Sequence, residues 1–170
     1  TLRDLGQLEA AVNSFEQALA IKPDYAEAHH NLGNALRDLD QLEAAVNSFE
    51  QALAIKPDYA DAHNNLGATL KDLSQLEAAV NSFEQALAIK PDYAEAHNNL
   101  GATLHALGKF DAAISNYQSA LAIKPDSFKV HNNLGVVYQQ LGKLNTAIKC
   151  YKKALAINQD YPEAHNNLGN

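Results

Sequence analysis

Methionine and tryptophan are absent from the 170 residues, cysteine occurs once, and proline occurs five times. With little proline and 46% hydrophobic residues, largely Ala and Leu, the composition suits close-packed helices better than a β sandwich. The single Cys150 has no partner for an internal disulfide. Its place in a helical pattern is that of a small buried or half-buried residue rather than a reactive thiol. No apolar run approaches the roughly 20 residues needed to span a bilayer, and no basic-then-apolar leader is present. A soluble, cytoplasmic chain without a membrane partner is therefore expected. Positive charge is also scarce, with 13 basic against 20 acidic residues and a net charge of −7. A phosphate backbone would meet net repulsion unless the basic residues gathered on one face. The helix faces derived below do not gather them, so no nucleic-acid partner is expected.

What the chain does have is repetition. The segment from Leu42 to Tyr59 recurs letter for letter at Leu8 to Tyr25 and at Leu76 to Tyr93, a shift of 34 residues each time. A chain that repeats one unit has no single place where unlike residues from distant segments converge, which is how most catalytic sites are assembled. A period of this size describes a stack in which each unit buries its apolar face against its neighbours. The expectation is an all-α solenoid over residues 1–170 with no internal domain boundary, no catalytic residues, no cofactor and a surface as its working part.

Residues 26–59 serve as the reference unit. Turning about 100° per residue from Leu32, Ala28, Ala35, Leu36 and Leu39 share its side of a helix, and Glu27, His30, Asn34 and Arg37 fall opposite. This is helix A. A second stripe, Leu42, Ala45, Val46, Phe49, Ala52 and Leu53, marks helix B. Asp40 precedes Glu43 by three residues, and Ser74 precedes Glu77 likewise, the spacing of a capping box that would start helix B. Gly6, Gly108 and Gly142 hold the same column, where a left-handed turn costs glycine least. Pro23, Pro57, Pro91 and Pro125 are expected to end each B helix. Asp24 with Glu27, Asp58 with Asp61, and Asp92 with Glu95 are expected to cap the following A helix. Gly33, Gly67, Gly101, Gly135 and Gly169 lie inside helix A, where glycine costs about 1 kcal/mol relative to alanine. The compensation expected is close approach of B to A. These positions are mid-helix, away from the free amides that bind phosphate.

The residues His29, Leu32, Gly33, Leu36, Ala45, Phe49 and Pro57 have the spacing of the tetratricopeptide repeat, and the whole chain resembles that family. Full units run 26–59, 60–93, 94–127 and 128–161, with a partial unit at 1–25 and the start of another at 162–170. The chain departs from the family pattern at His29, His63, His97, His131 and His165, which replace its usual tryptophan. Gln159 replaces a helix-ending proline, and Ser127 a unit-ending tyrosine. The resemblance implies a right-handed superhelix of antiparallel helix pairs whose A helices line a concave groove that binds protein or peptide. Within the family, the run HNNLG is similar to the repeats of O-linked N-acetylglucosamine transferase and its bacterial look-alikes, in which an asparagine ladder holds a bound peptide's backbone. The matching residues are Asn31, Asn65, Asn99, Asn133 and Asn167.

A side-chain amide donates to a peptide carbonyl and accepts from a peptide N–H, so a row of amides suits a ligand gripped without regard to its sequence. The competing reading is local hydrogen bonding. Asn133 argues for the ladder, because it is kept in a unit where Lys129, Val136, Val137 and Tyr138 have diverged. The adjacent column, Asn64, Asn98, Asn132 and Asn166 with His30, is expected to point further into the polar face and widen the contact. The histidine column carries no metal site, since stacked helices hold equivalent side chains about 8–10 Å apart and zinc needs each nitrogen at about 2.0–2.1 Å. A half-buried packing role is expected instead. The columns that carry lysine and arginine in carboxylate-binding repeats hold Glu27, Asp61 and Glu95, then His30, Asn64 and Asn98, so no carboxylate clamp forms. Arg3, Arg37 and Lys71 follow the helix dipole and are paired in sequence with Asp4, Asp38 and Asp72.

Two functions fit these features. One is a protein-interaction scaffold without activity of its own. The other is the substrate-recognition arm of a larger enzyme such as a glycosyltransferase, with the catalytic domain outside this chain. The leading 25 and trailing nine residues together make one period. Head-to-tail self-association through Leu2, Leu5 and Leu168, left exposed at uncapped ends, is a further expectation.

Overall fold

A computed structural model describes the backbone of residues 2–169 and the side chains of residues 6–169. All its regular structure among the described residues is helical, in two compact units. The unit Thr1–Pro91 contains α1 (Leu2–Ile21), α2 (Ala26–Asp38), α3 (Leu42–Ile55), α4 (Ala60–Asp72) and α5 (Leu76–Ile89). The unit Asp92–Asn170 contains α6 (Ala94–Ala106), α7 (Phe110–Ile123), α8 (Phe128–Gln140), α9 (Leu144–Ile157) and α10 (Pro162–Gly169). Each A helix packs on the B helix after it: α2 on α3, α4 on α5, α6 on α7, and α8 on α9. No described helix is long and apolar enough to cross a membrane.

Packing within a pair turns on the glycine of helix A. Phe49 and Phe83 are wholly buried beneath Gly33 and Gly67, and Tyr117 and Tyr151 take their place against Gly101 and Gly135. A β-carbon at Gly33 would stand 2.7 Å from Cε1 of Phe49, and one at Gly135 only 2.5 Å from Cε1 of Tyr151. The missing methyl lets a flat ring lie against the backbone, and the apolar area this removes from water offsets the poor helix propensity of glycine. Ala45, Ala52, Ala79 and Ala86 flank the rings with no exposed surface.

The turns between A and B differ from the expected capping boxes. Asp40 and Ser74 stand at φ 60°, in the same left-handed conformation as Gly108 at 72° and Gly142 at 71°. Helix B instead starts from Gln41 and Gln75, neither of which makes a side-chain cap bond. Gln41 N–H donates to the Leu36 carbonyl at 2.9 Å and Asp40 N–H to that of Arg37 at 2.9 Å. The same pair of bonds recurs at the turns of Ser74, Gly108 and Gly142, as at Lys143 to Tyr138 and Gly142 to Gln139. These six-to-one and five-to-two bonds form a Schellman ending of helix A, so the left-handed residue closes the first helix rather than capping the second. Gly6 departs from the expectation in another way. Helix α1 continues through it from Leu2 to Ile21, because extending an existing hydrogen-bond ladder avoids a second costly nucleus.

The A-helix starts also differ. Tyr25, Tyr59, Tyr93 and Ser127 occupy the cap positions without side-chain cap bonds, so Asp24, Asp58 and Asp92 do not cap. The loops before them are tied from the histidine column instead. The Nε2 atoms of His29, His63 and His131 lie 2.9, 3.0 and 2.9 Å from the carbonyls of Pro23, Pro57 and Pro125. His165 makes the same contact to Gln159 at 2.8 Å. A carbonyl only accepts, so this nitrogen carries the proton. The B helices end where expected, and α9 ends at Ile157 in the same column although Gln159 replaces proline. Of the apolar residues expected at exposed ends, Leu168 is half-buried, and the side chains of Leu2 and Leu5 lie outside the described residues.

Candidate functional site

The ladder asparagines sit on the A helices at the start of the second turn, and their exposure varies. Asn31 is exposed, while Asn65, Asn99, Asn133 and Asn167 are half-buried. The adjacent column is divided: Asn166 is exposed and Asn98 half-buried, but three of its members lie further in than the helical wheel suggests. Asn64 and Asn132 are buried, at 1% and 5% exposure, and His30 is buried at 9%. An A helix packs on more than its own B helix: α2 touches α4, α6 touches α8, and α8 touches α10. A flank that is polar on a lone helix thus becomes an interface between A helices.

Hydrogen bonds join the two columns across that interface. In the first unit, Asn65 Nδ2 donates to His30 Nε2 at 3.0 Å and to Asn34 Oδ1 at 2.8 Å, and Asn64 Nδ2 donates to Asn65 Oδ1 at 3.3 Å. In the second unit, Asn133 Nδ2 donates to Asn98 Oδ1 at 3.2 Å, and Asn167 Nδ2 to Asn132 Oδ1 at 3.0 Å. His105 and Gln140 add a further link between α6 and α8 at 2.7 Å. These three ladder amides are thereby fixed through their nitrogens to the preceding repeat. The Oδ1 atoms of Asn133 and Asn167 have no hydrogen-bond donor among the described residues, whereas that of Asn65 accepts from Asn64. Fixed carbonyl acceptors of this kind pair with a backbone N–H at little further entropic cost.

His30 has the most closely defined protonation state in this region. An amide nitrogen only donates, so Asn65 requires His30 Nε2 to accept, and the proton resides on Nδ1, 3.2 Å from the Tyr59 hydroxyl. The imidazole also packs against Phe49 and Tyr59 at ring separations of 5.8 and 4.8 Å. Burial lowers its pKa from 6.5, against the opposing pull of Asp61, the Asn31 side chain and Glu27. Burial likewise raises the Tyr59 hydroxyl, helped by Glu27 and Asp61. Sequence reasoning placed His30 on the polar side and missed this cluster. The signal available was Tyr59, whose position after Pro57 brings an aromatic ring back over the previous A helix.

No group of three or more His, Cys, Asp or Glu among the described residues is arranged to hold a metal. Cys150 is buried, and burial raises its thiol pKa against the lowering effect of Lys153. That combination favours the unreactive protonated form.

Comparison with known proteins agrees with this architecture. The family described as TPR repeat matches the chain over residues 1–40, 33–74, 69–108, 103–142 and 140–170. A crystal structure of MamA superposes with a TM-score of 0.86 at 26% identity, covering 92% of this chain and 92% of that one. YrrB, described as a TPR protein with an unusual peptide-binding site, gives 0.81 at 25% identity over 97% of this chain and 85% of its own. TTC0263, a thermophilic TPR protein of Thermus thermophilus, gives 0.78 at 26% identity over 99% and 92%. No curated protein matches the sequence.

Proposed function

The chain belongs to the tetratricopeptide repeat family, and from that premise we propose that it is a protein-interaction scaffold whose A-helix faces hold an extended peptide through the asparagine ladder. The observation that carries this reading is the state of Asn133 and Asn167. Their amide nitrogens are anchored on the preceding repeat while their carbonyl oxygens have no donor among the described residues. Within each unit the ladder includes the other asparagines of its column, Asn31 and Asn65 in the first and Asn99 in the second, while Asn98 and Asn132 anchor Asn133 and Asn167 from behind and Asn64 braces Asn65. The likeness to YrrB, whose description names a peptide-binding site, supports the class of ligand. A substrate-recognition arm of a larger enzyme would use the same ladder in the same way, with chemistry supplied elsewhere.

The test is a panel of unrelated extended peptides selected against the chain by display and titrated calorimetrically. Asn133→Ala is expected to weaken most of the panel by about fivefold, the value of one amide hydrogen bond of ~1 kcal/mol. Helicity should stay unchanged or rise, since alanine is the better helix former. Unaltered affinity across the panel would remove the ladder. Binding should also respond only mildly to salt, because backbone hydrogen bonds involve no net charge.

A further inference from the structure

The second unit differs from the first in charge. Six basic residues oppose fourteen acidic ones in Thr1–Pro91, whereas seven lysines oppose six acidic residues in Asp92–Asn170. The imbalance concentrates in one repeat, since no acidic residue lies between Asp126 and Asp160 while Lys129, Lys143, Lys149, Lys152 and Lys153 do. Two of these are reversals of sign. Lys129 replaces the acid at Glu27, Asp61 and Glu95, and Lys152 replaces that at Glu50 and Glu84. Counting charges over the whole chain conceals this, and the expectation that basic residues are not gathered on one face is corrected here. Lys149, Lys152 and Lys153 are all exposed on α9, at the i, i+3 and i+4 spacing of a single helix face.

That face borders a cleft. A 460 Å³ cavity meets a second of 280 Å³, the two sharing Leu121 of α7, His131 of α8 and Lys153 of α9. Along α9 the lining runs from Thr146 to Ile157, about 16 Å at 1.5 Å per residue, which accommodates about five residues of extended chain. Leu121 and Leu134 supply apolar surface, and Lys149 and Lys153 stand one turn apart on the wall. At the columns of these two lysines, α3 carries Asn47 and Gln51, α5 carries Asn81 and Gln85, and α7 carries Ser115 and Ser119. The charged wall therefore belongs to one repeat alone, separate from the asparagine ladder.

We propose that this B-helix cleft of the second unit docks an acidic peptide segment of a partner protein, with one aliphatic side chain in the apolar floor and carboxylates on Lys149, Lys152 and Lys153. An aliphatic anchor removes apolar surface from water, and the flanking carboxylates meet cations in a stretch where no acid competes. A nucleic acid fits less well, because its phosphates would find the lysines but it has no aliphatic side chain for the apolar floor.

The experiment titrates the full chain with a fluorescein-labelled peptide of glutamates around a central leucine, read by anisotropy. Saturable binding is expected, reduced about tenfold or more in K149E/K153E, from loss of two ion pairs and added repulsion. Replacing the peptide's leucine by serine should cost a similar factor, whereas a ladder that grips any peptide backbone would hold the two peptides alike, which separates the cleft from the ladder. Circular dichroism melting checks that the variant folds, and K149Q/K153Q provides the answer if charge reversal does not fold. Equal binding by wild type and the lysine variants, or by the leucine and serine peptides, overturns the proposal. So does tighter binding of a single-stranded oligonucleotide. Sedimentation showing that copies of the chain associate through Lys149 and Lys153 would assign the cleft to the acidic unit of a second copy and likewise overturn it.

Discussion

In the pair α2–α3, Gly33 lies over the buried ring of Phe49 and the turn residue Asp40 stands at φ 60°. In α8–α9, Gly135 lies over Tyr151 and the turn residue Gly142 stands at 71°. Between these landmarks the surfaces diverge, with Lys129 in the column of Glu27, Asn145 in that of Glu43 and Lys152 in that of Glu50. Even the proline is dispensable, since α9 ends in the same column as α3 with Gln159 in place of Pro57. There Asn158 Oδ1 accepts from the Asp160 N–H at 3.2 Å and supplies a local turn. The comparison separates what the backbone requires, a flat ring under a glycine and a left-handed residue after helix A, from what the solvent face leaves free.

The first requirement can be broken most severely. Gly135→Ala puts a methyl carbon 2.5 Å from Tyr151, whose hydroxyl is held by Gln139 Oε1 at 2.6 Å, so the ring cannot simply swing aside. Overpacking of this kind costs about 1–3 kcal/mol, more than the roughly 1 kcal/mol that alanine returns as helix propensity. Gly169, where an added methyl would meet nothing within 4 Å, should accept alanine with no loss. Thermal melting of the two variants distinguishes them, and equal loss would mean that the ring contact is not what selects glycine.

The second requirement is tested by exchanging turn residues. Asp40→Gly and Ser74→Gly should each raise stability by on the order of 1 kcal/mol or less, because an L-residue loses about 1–2 kcal/mol in the left-handed region and glycine gives back part of that gain as chain entropy. Gly142→Asp should lose a similar amount. Denaturant melts that show the glycine variants weakened would restore the capping role read for Asp40 from its distance to Glu43.

That misreading shows what a single sequence conveys. Helix pairing, the period and the glycine contact were legible, because apolar spacing and a costly residue in mid-helix each have few explanations. Capping was not, since Asp and Ser serve both as helix caps and as left-handed residues, and only the neighbouring glycines at 108 and 142 discriminate. The recurrence of asparagine along the A helices was legible as columns of amides. His30 and Asn132 of the second column were misplaced because a helical wheel describes one helix, while both are buried where A helices stand side by side. The basic cleft escaped notice because a net charge averages over repeats that differ.

The smallest expected effect concerns the same second column, in which His30 stands where the other repeats carry Asn64, Asn98 and Asn132. Neutral His30 accepts from Asn65 and donates to Tyr59, whereas the imidazolium would present Nε2–H to an amide that also donates. Burial, the larger cause, lowers its folded pKa below 6.5, with Asp61, the Asn31 side chain and Glu27 pulling the other way. The unfolded chain then binds the proton more readily than the folded one. His30 contributes its full stability above pH 6.5 and loses it as pH falls through that value to the lowered folded pKa. Asparagine at this position keeps a carbonyl acceptor for Asn65 and has no proton to bind. Over this window the melting temperature of His30→Asn should therefore fall less than that of the wild type, with the other histidines contributing equally to both. Parallel curves for the two proteins would show that His30 takes up its proton without strain, and that the column differs from its neighbours in residue type alone.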